Sequence, residues 1–215
     1  MADYLRKNII TIHLIILIFF ALIMGYQSRF TFLIWNVILA VIPFDLSLLC
    51  HLLKQKKRRY LLALIWFLFF PNALYMITDF SHLSSIGVGL ITPLQFVEYA
   101  ILAAGVFIGI SLGIVSLLIM YPLFIPQATR FSHQLTTFGL LSICSSIAIY
   151  LGRFLRINSW DVFVSLPTTV IKVFAIFNQA DFWIFVIAFS ILQLTLMLAS
   201  YQFQQVLTTN HPSKN

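Results

Sequence analysis

Residues 60–82 read YLLALIWFLFFPNALYMITDFSH. The stretch begins as an unbroken apolar run. Then, in PNALYMITDFSH at 71–82, it places an asparagine, a tyrosine, an aspartate and a histidine directly behind that run. Continued as an α-helix, Asn72, Tyr75, Asp79 and His82 fall at steps of three, four and three residues and make one stripe along one face. Ionisable side chains at the edge of a membrane helix mark a functional site by default. Pro71, inside the helix, removes a backbone hydrogen bond and is expected to kink the rod, aiming the stripe at the bundle axis.

The surrounding chain supports a membrane reading. Its 215 residues are 61% hydrophobic and 9% charged, whereas soluble domains are about half apolar. A helix that crosses a bilayer needs about 20 mostly apolar residues. Six segments qualify: 9–24, 30–53, 60–78, 99–120, 135–151 and 182–203. The expected fold is all-α, a polytopic transmembrane helix bundle of about six spans. It is read as a single domain over 1–205, followed by a short polar cytoplasmic tail at 206–215. The first segment has a basic start, Arg6 and Lys7, but residues 24–28 offer no small-x-small cleavage pattern. It reads as an uncleaved first span.

The formal net charge of +7 does not point to nucleic acid, because of where the charges lie. Lys54, Lys56, Lys57, Arg58 and Arg59 share one short loop between the second and third spans, the signature of a cytoplasmic loop. That loop is expected to attract anionic lipid. With it inside, both termini and the 121–134 loop are cytoplasmic, while the 25–29, 79–98 and 152–181 connections lie outside. Nine of the 13 Lys and Arg residues are then inside and four (Arg29, Arg153, Arg156, Lys172) outside. Asp79, Glu98, Asp161 and Asp181 also fall outside, so the outer face is charge-balanced.

Cys50 and Cys144 are not placed for a structural disulfide, and no zinc spacing exists. Gly105, Gly109 and Gly113, at four-residue steps, let another helix backbone approach closely. Packing within the monomer is the first reading of these glycines, and a homo-oligomer seam the second. The apolar 83–98 connection, broken by Gly and Pro, is expected to lie in the interface. The 162–177 part of the last outer connection, interrupted by Pro167, reads as short interfacial helices. Both are placed to roof a site.

Asp79 and His82 are one turn apart. They suit a shared proton, two ligands of a divalent metal, or a hydrogen-bonded pair near the water boundary. Zinc needs three or four ligands, and Asp161 is the external candidate for a third. The segment Gly152-Arg153-Phe154-Leu155-Arg156, followed by Asn158-Ser159-Trp160-Asp161, emerges on the same outer face. Arg153 is placed to pair with Asp79 or to clamp a phosphate or carboxylate. Trp160 suits the headgroup belt, and Asn158, Ser159 and Asp161 are good helix caps. Asn36, about two turns inside the second span, needs a partner, and Asp79, Tyr75 or Arg153 are at similar depth. Asp45 has no visible cationic partner at its own depth, and His13, His51 and His133 have no motif around them.

Taken in order, Trp35-Asn36 with Pro43, Phe70-Pro71-Asn72-Ala73 with Tyr75, Thr78-Asp79 and His82, and Gly152-Arg153-Phe154 with Asn158-Ser159-Trp160-Asp161 resemble a bacterial membrane-protein family. That family is catalogued as domain of unknown function 1361. Leu74 departs from it, standing where a second proline is expected. The resemblance implies a membrane location, the bacterial cytoplasmic membrane, and no activity.

No Walker loop, HExxH, GxSxG or dinucleotide glycine pattern is present. The expected function is a small-molecule or lipid-headgroup binding or transport protein with a polar pocket at the extracytoplasmic face. Arg153 is its anion contact, and Asn36, Asn72, Tyr75, Asn158 and Trp160 line it. The alternatives are an intramembrane enzyme acting on a lipid-linked substrate through Asp79, His82 and Asp161, and a non-catalytic scaffold with the stripe as internal glue. Six spans without an internal repeat weigh mildly against a standard secondary transporter.

Overall fold

A computed structural model describes residues 2–125, 130–156 and 176–209, with side chains from residue 7 onward. Asn158, Ser159, Trp160, Asp161 and most of the 162–177 connection lie outside the described residues. The described chain is all-helical. Six α-helices run in order: α1 (Ala2–Gly25), α2 (Phe32–Leu52), α3 (Lys56–Tyr75), α4 (Pro93–Phe124), α5 (Phe131–Phe154) and α6 (Ala180–Thr209). An eleven-residue 3-10 helix, Met76–Ile86, continues directly from α3. Six helical stretches, counting α3 and the 3-10 helix as one, are long and apolar enough to cross a membrane.

The packing follows from heptad-like spacing. On α2, Leu33, Val37, Ala40, Phe44, Ser47 and Cys50 are buried at steps of three and four residues, a single stripe on one helix face. α2 packs most extensively against α3 and α4, while α5 pairs with α6. One apolar core joins Ile16, Phe19 and Ile23 of α1 to α2 and α4. A second runs through Trp66, Phe70, Leu117, Phe138, Met197 and Tyr201, tying α3 and α4 to the α5–α6 pair. The glycines of α4 make the close approaches possible. A methyl group added at Gly113 would lie 2.8 Å from Cβ of Ala73, and one at Gly109 would collide with Met76. Gly105 faces Leu33 and Phe19. The small-residue face is thus occupied by this chain's own helices.

Two expectations change here. The polar stripe does not continue as α-helix: the α geometry stops at Tyr75 and the chain tightens to three residues per turn. The hydroxyls explain it. Thr78, Ser84 and Ser85 each donate to the carbonyl three residues back, at Tyr75 (2.8 Å), Ser81 (3.2 Å) and His82 (2.7 Å). Such local bonds compete with the α ladder and favour a tighter turn. Met76, Asp79, His82 and Ser85 therefore share a face, while Asn72 and Tyr75 stay with α3.

The second change is at 83–98. Pro93 starts α4 instead of breaking a connection, so the fourth span is longer than its apolar stretch. Thr92 Oγ1 accepts from the Gln95 backbone N–H, and the Gln95 side chain accepts from the Thr92 N–H, a capping box with proline in the first turn. Gly87, at φ +114°, turns the chain between the 3-10 helix and this cap. The Gln95 amide then donates to Ile86 O at 3.3 Å.

Candidate functional site

The 3-10 helix brings Asp79 into the bundle at the end opposite the basic 54–59 loop. Its side chain is 1% exposed, a costly place for a carboxylate without partners. Two partners are present. Asn36 of α2 donates its amide N–H to Oδ2 at 2.7 Å, and Arg153, at the end of α5, holds Nη1 4.0 Å from Oδ1. Arg153 also donates through Nη2 to Ser81 Oγ. Three segments distant in sequence thus meet at one carboxylate, and the ion pair ties the α5–α6 pair to the α2–α4 group. Of the partners open to Asn36 on sequence grounds, the one in contact is Asp79.

The other expected members stand differently. His82 is half-buried, with its ring 4.5 Å from that of Phe32 on α2 and tilted 42° to it. Tyr75 packs against the second core, away from the stripe's expected face, because the change of helix type separates it from Asp79. Asn72 is half-buried in α3. Among the described residues no three His, Cys, Asp or Glu side chains converge as a metal ion would require. Asp79, already engaged by an amide and a guanidinium, is better placed to anchor Arg153 than to exchange protons with a substrate.

A second polar link adjoins the first. Ser28 Oγ donates to Glu98 Oε2 at 2.7 Å, and Arg29 Nε lies 4.0 Å from Glu98 Oε1. Arg29 also donates to Ser85 O. Arg153 and Arg29 therefore grip the 3-10 helix at residues 81 and 85, about 8 Å apart at 2 Å per residue. Ser81, Ser84 and Ser85 are exposed on the strip between them. Sequence reading placed Arg29 and Glu98 on the outer face without pairing them. Their shared side and opposite sign were the available signal.

Other polar links between helices have no counterpart in the sequence reading, two of them at charged or mid-span positions. His13 Nε2 lies 3.3 Å from Asp45 Oδ1, giving Asp45 the partner that was not visible in the sequence. The two residues are far apart in the chain and meet only because α1 and α2 run antiparallel. Between α5 and α6, Ser146 Oγ accepts from Gln193 Nε2 at 2.8 Å and from Ser190 Oγ at 3.2 Å. Ser145 Oγ and Gln193 Oε1 are buried there without a partner among the described residues. A glutamine in mid-span, with serines three and four residues apart on a neighbouring helix, is the signal that could have found this seam.

The family model for proteins of unknown function named DUF1361 matches residues 35–196. The matched region contains Asn36, Asp79 and Arg153. The chain belongs to that family. No curated protein and no solved structure matches it.

Proposed function

We propose that this member of the DUF1361 family binds a small phosphate-bearing or carboxylate anion, free or as a lipid headgroup, on the exposed strip between Arg153 and Arg29. We place that strip at the extracytoplasmic face of a cell membrane. The orientation follows from the positive-inside bias, which puts the 54–59 loop and both termini in the cytoplasm.

The observation that carries the reading is Arg153 itself. Its side chain is 26% exposed, while its carboxylate partner is 1% exposed. A guanidinium has five N–H donors, more than the contacts to Asp79 and Ser81 use. Asp79, itself held by Asn36, lies against the group on its buried side, and Ser81 accepts from it. That is the geometry of a preorganised anion contact. Asn158 and Trp160, which follow Arg153 in the chain, are proposed to line the same strip, with Asn72 supporting it from α3; Tyr75, packed in the second core, is left out of it. Movement of the anion across the membrane is the transport form of the same proposal.

The test is thermal unfolding of purified protein in detergent with added inorganic phosphate, glycerol phosphate or short-chain phosphatidylglycerol. Saturable stabilisation by one of these is expected, weakened in Arg153→Lys, which keeps charge but loses the planar fork, and in Arg29→Gln. A response to phosphatidylglycerol alone assigns the lipid headgroup; a response to the free anions assigns a soluble ligand. No response to any of the three, in protein that unfolds cooperatively, overturns the proposal.

A further inference from the structure

At the opposite end of the bundle, α3, α4 and α5 leave between them an apolar groove of about 380 Å³. Its walls include Ala63, Phe67, Leu117, Thr137, Leu140 and Cys144, and Phe124 closes the end near the basic loop. From Thr136 to Cys144 it follows α5 for eight residues, about 12 Å of helix. Such a trough is shaped for a single hydrocarbon chain.

The mouth of the groove carries an unusual charge arrangement. Lys56, Lys57, Arg58 and Arg59 occupy the first turn of α3, with no acidic residue among them and no side-chain cap on Gln55. Cations at a helix N-terminus oppose the helix dipole, and Gln55 supplies no side-chain bond to the first N–H groups. Arg59 has an internal partner, donating to Leu53 O at the end of α2. Lys56, Lys57 and Arg58 are exposed. The next residue, Tyr60, has its ring 5.6 Å from that of Phe124, which joins the cationic turn to the groove. Arg130, exposed at the start of α5, stands on the other side of the mouth.

We propose that this groove binds one acyl chain of an anionic phospholipid from the leaflet on the basic-loop side. The phosphate sits at the α3 N-terminus among Lys56, Lys57 and Arg58. A cationic, uncapped helix start favours an anion, and the trough beneath it accepts the chain that only a lipid supplies. The site is independent of the Arg153 strip and lies at the other end of the molecule. It also narrows the sequence expectation for the loop, since Arg59 is turned to a structural contact.

The test uses the protein in phosphatidylcholine bilayers, with Cys144→Ser and a fluorophore at Ile143→Cys, which is exposed beside the groove without lining it; Cys50 is buried. Phosphatidylglycerol or phosphatidylcholine with brominated acyl chains is added as a minor component. Brominated phosphatidylglycerol is expected to quench about fivefold more effectively, the scale of one basic residue near an anionic surface. The preference is expected to vanish when Lys56, Lys57 and Arg58 are all changed to Gln. Thr137→Phe, which fills the trough, is expected to lower quenching by both lipids. A fluorophore at Leu17→Cys on the lipid-facing side of α1 should show no preference. Equal quenching of the fluorophore beside the groove by the two lipids, or a preference that survives the triple neutralisation, overturns the proposal.

Discussion

Among the described residues, Asp79 and Asp45 both face other helices and have opposite surroundings. Asp79 is 1% exposed and held by an amide and a guanidinium from two other helices. Asp45 is 50% exposed and meets one imidazole, from a helix that touches the rest of the bundle sparingly. Both are carboxylates at membrane-helix positions; the first joins three segments distant in sequence, the second only the successive helices α1 and α2. A buried charge is retained where several chain segments converge to compensate it. Asp45, seven residues from the end of α2 and on the outside of the bundle, has its single partner on the neighbouring α1.

The contrast is sharpest for removal of each carboxylate. Asp79→Ala leaves Arg153 and Asn36 without their partner and should cost about 3 kcal/mol or more, read as loss of folded protein or a large fall in unfolding temperature. Asp45→Ala leaves one imidazole without its partner and should cost about 1–2 kcal/mol, the scale of a single polar group left unpaired. Equal losses would break the comparison. Asn36→Ala should cost about 2 kcal/mol, the range for a hydrogen bond to a charged group, in the same unfolding measurement. A value near zero would mean that Arg153 alone holds Asp79.

Helix packing gives the next smaller effect. Gly113→Val pushes α4 off Ala73, just before the 3-10 helix, and should destabilise by about 1–3 kcal/mol. Because the shift reaches the segment that carries Asp79, the variant should also weaken anion-dependent stabilisation. Gly139→Ala is the smallest change. A methyl group there meets nothing within 4 Å, so the helix should gain up to about 1 kcal/mol with the Asp79 contacts unaffected. Destabilisation by this variant would show that α5 is packed by something other than the neighbours described.

Much of the fold was legible because membrane helices announce themselves through apolar length alone. The meeting of Asn36, Asp79 and Arg153 was partly legible as well: scarce polar groups on the same side of a hydrophobic bundle have few alternatives to one another. The 3-10 helix was not. Steps of three and four residues suit an α-helix, and a run of three hydroxyls bonding back to carbonyls is a local choice that side-chain periodicity does not display. The His13–Asp45 pair and the Ser146–Gln193 seam depend on which helices are neighbours. Periodicity within one helix carries no such information.

The spacing of the Asp79 partners along the chain has a consequence in time. Asn36 precedes Asp79 and is already made when the carboxylate emerges, whereas Arg153 follows 74 residues later. At about 5–20 residues per second of synthesis, the guanidinium arrives roughly 4–15 s afterwards. Through that interval the amide of α2 is the partner already at hand, and α5 then locks a half-built assembly when it reaches its place. The order of residues along the chain is in this sense an assembly schedule.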